Sequence, residues 1–144
     1  MMEKIITRFG EVEYDPENLL HFPEGMIGLP QLKKFIVMPN KKKGPLFWIQ
    51  SVDEPEFAFV LTDPTNFFLD YNIKTEESER KTLQMGKEDT IFVLVVVTVP
   101  QDHKITMNLA APILFSPQTN RAMQVILEKS DYSTKTPLPG QDSK

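Results

Sequence analysis

The feature that most limits what this chain can fold into is its punctuation. Its apolar residues come in short runs, KIITRF, VEYD, KFIVMP, LFWIQS, FAFVLT, IFVLVVVTV, AAPILFS and RAMQVILE, each fenced by Pro, Gly, Asn or Asp. Short runs rich in aromatic and β-branched residues are of strand length. Breaks this frequent leave no room for the crossover helices that a parallel sheet requires. The spacing predicts a mostly β fold of about eight strands, a small, curved antiparallel β-barrel. The first two runs flank Gly10-Glu11, a turn-length gap, and read as a hairpin.

One segment reads as a short surface helix, about residues 76–85. Thr75 is placed to cap it, Glu76, Glu77 and Glu79 fall in the first turn, Arg80 and Lys81 follow, and Gly86 is placed to close it in the left-handed conformation. Leu83 and Met85 are its clearest apolar residues, which leaves an acidic outer face. Three strand runs, FIVM, FAFVL and IFVLVVV, are apolar at both parities, whereas a sheet solvated on one side alternates. Their outer face needs a cover, expected from the chain's own helix and long loops.

At 144 residues the chain fits one domain, large enough to bury roughly 70% of its unfolded surface. The expected domain is residues 1–132, followed by a polar, flexible tail at 133–144 with Tyr132 and Leu138 as its anchors. The absence of cysteine removes disulfides and thiolate metal sites and suits a reducing cytoplasm. The opening MMEKIITRFGEVE lacks the pattern of a secretory signal, and IFVLVVVTV has about half of the ~20 residues a membrane helix needs. A cytoplasmic protein with no membrane contact is expected. With 16 Lys+Arg against 20 Asp+Glu the net charge is −4, which repels a phosphate backbone on average. The basic triplet Lys41-Lys42-Lys43 before Gly44-Pro45 reads as a solvated loop.

Catalytic groups are scarce. His21 and His103 are the only histidines, no serine sits in a Gly-x-Ser-x-Gly elbow, and Asp53, Glu54 and Glu56 cluster in a turn. No catalytic residue, cofactor or metal site is expected. What stands out instead is a pair of loops too broken for strands yet rich in apolar residues, LLHFPEGMIGLP at 19–30 and DPTNFFLDY at 63–71. Pro23 presets φ, and Gly25 and Gly28 permit tight reversals, so the first loop has a shape fixed by backbone chemistry. Such loops on a β scaffold either dock onto the core or recognise a partner.

The blocks LLHFPEGMIGLPQLKKFIVMP, PLFWIQSVDEPEFAFVLTDP, VVVTVP and NLAAPILFSPQTNRAMQVIL, in this order and at these spacings, resemble the bacterial flagellar assembly factor FliW family. The resemblance runs from about residue 5 to residue 132, and 75–90 and the tail after 133 look like variable parts. It implies a small, mostly antiparallel β-barrel without catalytic activity, monomeric when alone. It also implies two protein partners, flagellin and the translational regulator CsrA. Flagellin occupies the protein while plentiful, and once it is depleted the free protein captures CsrA and relieves repression of flagellin translation. On this resemblance, Phe22, Pro23, Met26, Ile27 and Leu29 of the first loop and Phe67, Phe68, Asp70 and Tyr71 of the second are candidates for partner contact. Glu76, Glu77 and Glu79 are candidates for keeping RNA off captured CsrA by repulsion. Asn108, Pro112 and Gln50 read as structural. The alternatives are a nucleic-acid-binding barrel of oligonucleotide-binding type and a hydrolase using His21 with Asp53 or Glu54.

Overall fold

The structure, a computed structural model, describes residues 2–38, 46–71, 73, 75–86, 88–99, 104–127 and 132–138. The Lys41-Lys42-Lys43 triplet, His103 and the tail beyond 138 lie outside the described residues. At the N-terminus β1 (Glu3–Thr7) pairs with β2 (Gly10–Tyr14) in a two-stranded sheet of its own, Ile5 facing Val12. The turn falls at Arg8-Phe9 rather than at Gly10-Glu11. Gly10 takes φ +91° where the second strand starts, a conformation that suits glycine. Phe9 rests edge-on against Trp48, ring centroids 5.0 Å apart.

Among the described residues nine strands form the main sheet: β3 (Leu20–His21), β4 (Lys34–Met38), β5 (Leu46–Ser51), β6 (Ala58–Thr62), β7 (Phe92–Thr98), β8 (Thr106–Met107), β9 (Ile113–Ser116), β10 (Arg121–Gln124) and β11 (Thr136–Pro137). Seven of them run β7-β6-β5-β4-β3-β10-β9, and β9 returns to β7, so the sheet closes into a barrel. Closure needs a long β7, whose first residues face β9 (Phe92 opposite Phe115) while Val95–Val97 face Thr62–Val60 of β6. The other contact that closes it, His21 opposite Arg121 between β3 and β10, is parallel, and all remaining pairs are antiparallel. β8 and β11 stand outside the ring, β8 on the far end of β7 and β11 on β8.

The eight expected runs correspond to β1, β2, β4, β5, β6, β7, β9 and β10. The three further strands, β3, β8 and β11, have two residues each, too short to show an alternation pattern. β11 also carries the folded chain to residue 138, past the domain end expected at 132.

Strand parity sorts the core into an inside and an outside. Inward go Leu20, Phe22, Leu32, Phe35, Ile49, Leu61, Ile113 and Ala122, with Phe22 edge-on to Phe35 at 5.1 Å. Outward go Val60, Val95, Val97 and Met107, which are nonetheless buried. Their cover comes from Phe67, Phe68 and Tyr71 of the second loop and from Tyr132 and Leu138. The double-sided apolar pattern of FAFVL and IFVLVVV is thus explained within the molecule.

The helix, α1 (Glu77–Thr82), is shorter than expected, and its N-cap is Glu76 rather than Thr75. Glu79 reaches back to accept the Glu76 N–H at 2.8 Å. Its end is a Schellman motif: Met85 N–H donates to Arg80 C=O and Gln84 N–H to Lys81 C=O, both at 3.0 Å. The left-handed residue there is Gln84, φ +56°, and not Gly86. Leu83 is fully buried against Leu114 and Met123, and Thr119 Oγ1 donates to its carbonyl at 2.7 Å. Leu83, with Met85 packed beside it, and the Thr119 hydrogen bond therefore fix this short helix on the β9–β10 hairpin.

Candidate functional site

The first apolar loop is a sequence of tight reversals. Gly25 N–H donates to Phe22 C=O at 2.9 Å, and Met26 and Leu29 exchange both backbone bonds, at 3.2 and 2.8 Å. This leaves Ile27 and Gly28 at the tip. Gly25 (φ +73°) and Gly28 (φ +81°) supply the left-handed conformations these turns demand. Gly25 is held doubly, because a Cβ there would run into the backbone of Pro30.

This geometry sends the candidate residues in different directions. Phe22 and Met26 are buried in the barrel core, Leu29 packs on it half-buried, and Pro23 is half-buried. Only Ile27, 45% exposed, stands clear of the protein. Its N–H is held by Gln124 Oε1 at 3.0 Å, and Gln124 Nε2 donates to Ala111 C=O at 3.0 Å. Gln124 thus ties the loop tip to the barrel end, a role the sequence did not flag because the bond spans 97 positions. In this conformation Phe22 and Met26 are stabilising plugs and offer no contact surface.

The second loop is shaped by Asp63. Its Oδ1 accepts from Thr65 N–H at 2.9 Å and from Thr65 Oγ1 at 2.6 Å, starting the 3-10 turn Pro64–Asn66. Pro64 C=O then accepts from Phe68 N–H at 2.8 Å, and Tyr71 N–H donates to Phe68 C=O at 3.0 Å. Phe67 and Phe68 are half-buried on the outer core, and Tyr71 is buried with its hydroxyl donating to Leu109 C=O at 2.8 Å. Burial, and secondarily the neighbouring Tyr132, pushes the Tyr71 phenol pKa well up. Asp70 is exposed, and so is Leu69 at 91%. Leu69 is not among the candidates the sequence suggests, although a turn that buries the aromatic rings on either side must push its middle outward.

Among the acids, Glu76 and Glu77 are exposed, whereas Glu79 is half-buried with its carboxylate engaged in the helix start. Asp53 has a backbone task, since its Oδ2 accepts from the N–H groups of Lys33 and Lys34, both at 2.8 Å. Gln50 is buried with Nε2 turned to the carbonyls of Ser51, Pro55 and Phe57. Asn108 Oδ1 accepts from Ala110 and Ala111, and Pro112 C=O takes the Val125 N–H beside β9. Among the described residues no helix is long and apolar enough to cross a membrane, and no cluster of three or more metal-ligating side chains occurs.

A closed seven-stranded barrel with one short helix defines a small, mostly antiparallel β-barrel protein. The model of the FliW protein family matches residues 4–138. A curated "Flagellar assembly factor FliW 2" from Desulfotalea psychrophila is 64% identical over 138 residues, 96% of this chain and 91% of that one. The "Flagellar assembly factor FliW" of Syntrophotalea carbinolica is 62% identical over 139 residues, 96% of this chain and 99% of its own. A crystal structure of the flagellar assembly factor FliW superposes with a TM-score of 0.84 at 31% identity, covering 94% of this chain and 96% of that one. The chain belongs to the FliW family, and the match includes β11, beyond the end expected from sequence.

Proposed function

We propose that the protein is a cytoplasmic, non-enzymatic switch between two protein partners. It binds flagellin while flagellin is abundant, and when flagellin is depleted it binds and antagonises CsrA, relieving repression of flagellin translation. The observation that carries this reading is membership of the flagellar assembly factor family across 4–138. Two hydrogen-bonded loops that hold Ile27 and Leu69 out to solvent, with exposed Asp70 beside Leu69, supply contact groups without chemistry. A net charge of −4 suits capture of a basic RNA-binding protein. Exposed Glu76 and Glu77 would repel RNA phosphates from captured CsrA.

The test is to titrate the purified protein with flagellin and CsrA separately and then together. Each binds alone on this reading, and each weakens the other. Simultaneous binding without mutual weakening overturns it. Salt-sensitive retention of single-stranded RNA by the protein alone would favour the oligonucleotide-binding alternative instead.

A further inference from the structure

The hairpin β1–β2 is a two-stranded sheet whose strands have no other partner. Its loop has two residues, so Thr7 and Gly10 form a hydrogen-bonded pair, and by alternation so do Ile5 with Val12 and Glu3 with Tyr14. The backbone N–H and C=O groups of Glu11 and Glu13 therefore point away from β1, along an edge of β2 that no strand covers. Asp15, still extended at φ −98° and ψ 117°, continues that line, and its Oδ1 accepts the Glu17 N–H at 3.0 Å. Lys4, opposite Glu13 in the ladder, lies on β1 and away from this edge.

Beside Glu13 a cleft of about 370 Å³ opens between the base of the hairpin and β4 of the barrel wall. Its lining joins buried Leu19 and Ile36 and exposed Met2 and Val37 to Glu13 and Asp15. The chain here carries one sign of charge. Between Arg8 and Lys33 stand five acids, Glu11, Glu13, Asp15, Glu17 and Glu24, and no lysine or arginine. Edge and charge together select the occupant. An open edge takes an extended chain through backbone hydrogen bonds. Carboxylates at every second residue take Lys or Arg heads, and the aliphatic stems of those residues suit the apolar lining. A second copy of this chain is disfavoured, because two β2 edges meeting antiparallel bring the Glu11 and Glu13 side chains of both copies against each other.

We propose that this cleft takes an extended segment of a partner protein bearing Lys or Arg at alternate positions, which adds to the open edge of β2 as a third strand of the hairpin sheet. No rearrangement is needed, since edge and cleft are both open in the structure. The partner follows from the function proposed above, in which CsrA is the basic one. CsrA docking is thereby placed at the N-terminal hairpin.

Two probes test this. The first is a blocked peptide of alternating lysine and valine, with glutamate in place of lysine as its control. The lysine peptide should slow deuterium exchange of the Glu11 and Glu13 amides, and the glutamate peptide should leave it unchanged. The second probe is CsrA. The double variant Glu11→Lys/Glu13→Lys alters exposed side chains only, so it should melt like the unaltered protein while its CsrA affinity falls about tenfold or more. Its flagellin affinity should stay within about twofold. Glu13→Pro removes an outward N–H and spares the hairpin ladder, so it should weaken CsrA binding without reversing a charge. Unchanged exchange of the edge amides with the lysine peptide overturns the proposal, as does equal CsrA affinity in the unaltered protein and both variants. If CsrA binds none of the three while the lysine peptide protects the edge, the CsrA reading falls and the site for a basic strand is upheld.

Discussion

The two apolar loops share a composition and do opposite work. The first, 19–30, turns inward, plugging the barrel with Phe22 and Met26 and leaving Ile27 outside. The second, 63–71, lies on the outer face, where Phe67, Phe68 and Tyr71 cover β6 and β7 and Leu69 is left in water. The difference follows from where each loop leaves the barrel. A loop feeding β3 and β4 faces an open interior, whereas one between β6 and β7 faces strands whose outward residues Val60, Val95 and Val97 need covering. Apolar content thus marks a loop as packed somewhere; the outward side chain at its tip marks what it offers a partner.

The largest test of this contrast pairs Phe22→Ala with Phe68→Ala. The first should cost about 3–5 kcal/mol and the second roughly half of that, because Phe68 keeps part of its surface in water. Denaturant titration of the two variants decides, and equal losses would erase the inside–outside distinction. Next come the glycines. Gly28→Ala should cost about 1 kcal/mol for its left-handed backbone alone, since its Cβ would meet nothing within 4 Å. Gly25→Ala should cost distinctly more, because Pro30 must also shift. Similar costs would show that the loop yields at Pro30.

Tyr71→Phe should lose about 1 kcal/mol with the hydroxyl bond to Leu109. The sign of its pH effect is fixed. A phenol pKa raised in the fold contributes stability that is fully present below the unfolded value of about 10 and is lost as pH rises through the folded value. Alkaline melting curves should therefore fall less steeply for the Phe variant than for the unaltered protein. The smallest stability effects belong to Ile27→Asp and Leu69→Asp, within about 0.5 kcal/mol each. At least one should weaken flagellin or CsrA binding in the same titrations. Full binding by both variants would remove the loop tips from the contact surface.

Much of the fold was legible. Eight of the eleven strands among the described residues stand out as fenced β-branched and aromatic runs, because their length and parity are local properties. The two-residue strands β3, β8 and β11 were not, since partners distant in sequence define them. The helix lies where the sequence places it but has different caps, Glu76 and Leu83. Thr75 and Gly86 are better terminators by local preference, yet Leu83 must be buried against Leu114, and that sets where the helix stops.

For the site, local chemistry determined where both loops turn: Pro23, Gly25, Gly28 and the Asp63-Pro64 turn act within a few residues of themselves. It also put charge, the absence of cysteine and the family's motif blocks within reach. Tertiary structure alone decided which side chains face out, separating Ile27 from Met26 and Leu69 from Phe68. Orientation depends on the position of the barrel wall relative to the loop, and in a closed sheet the wall is assembled from strands throughout the chain. The same reason applies to residues 132–138, since Tyr132 and Leu138 gain their roles only from Tyr71, Leu109 and Ile105 on the surface they cross.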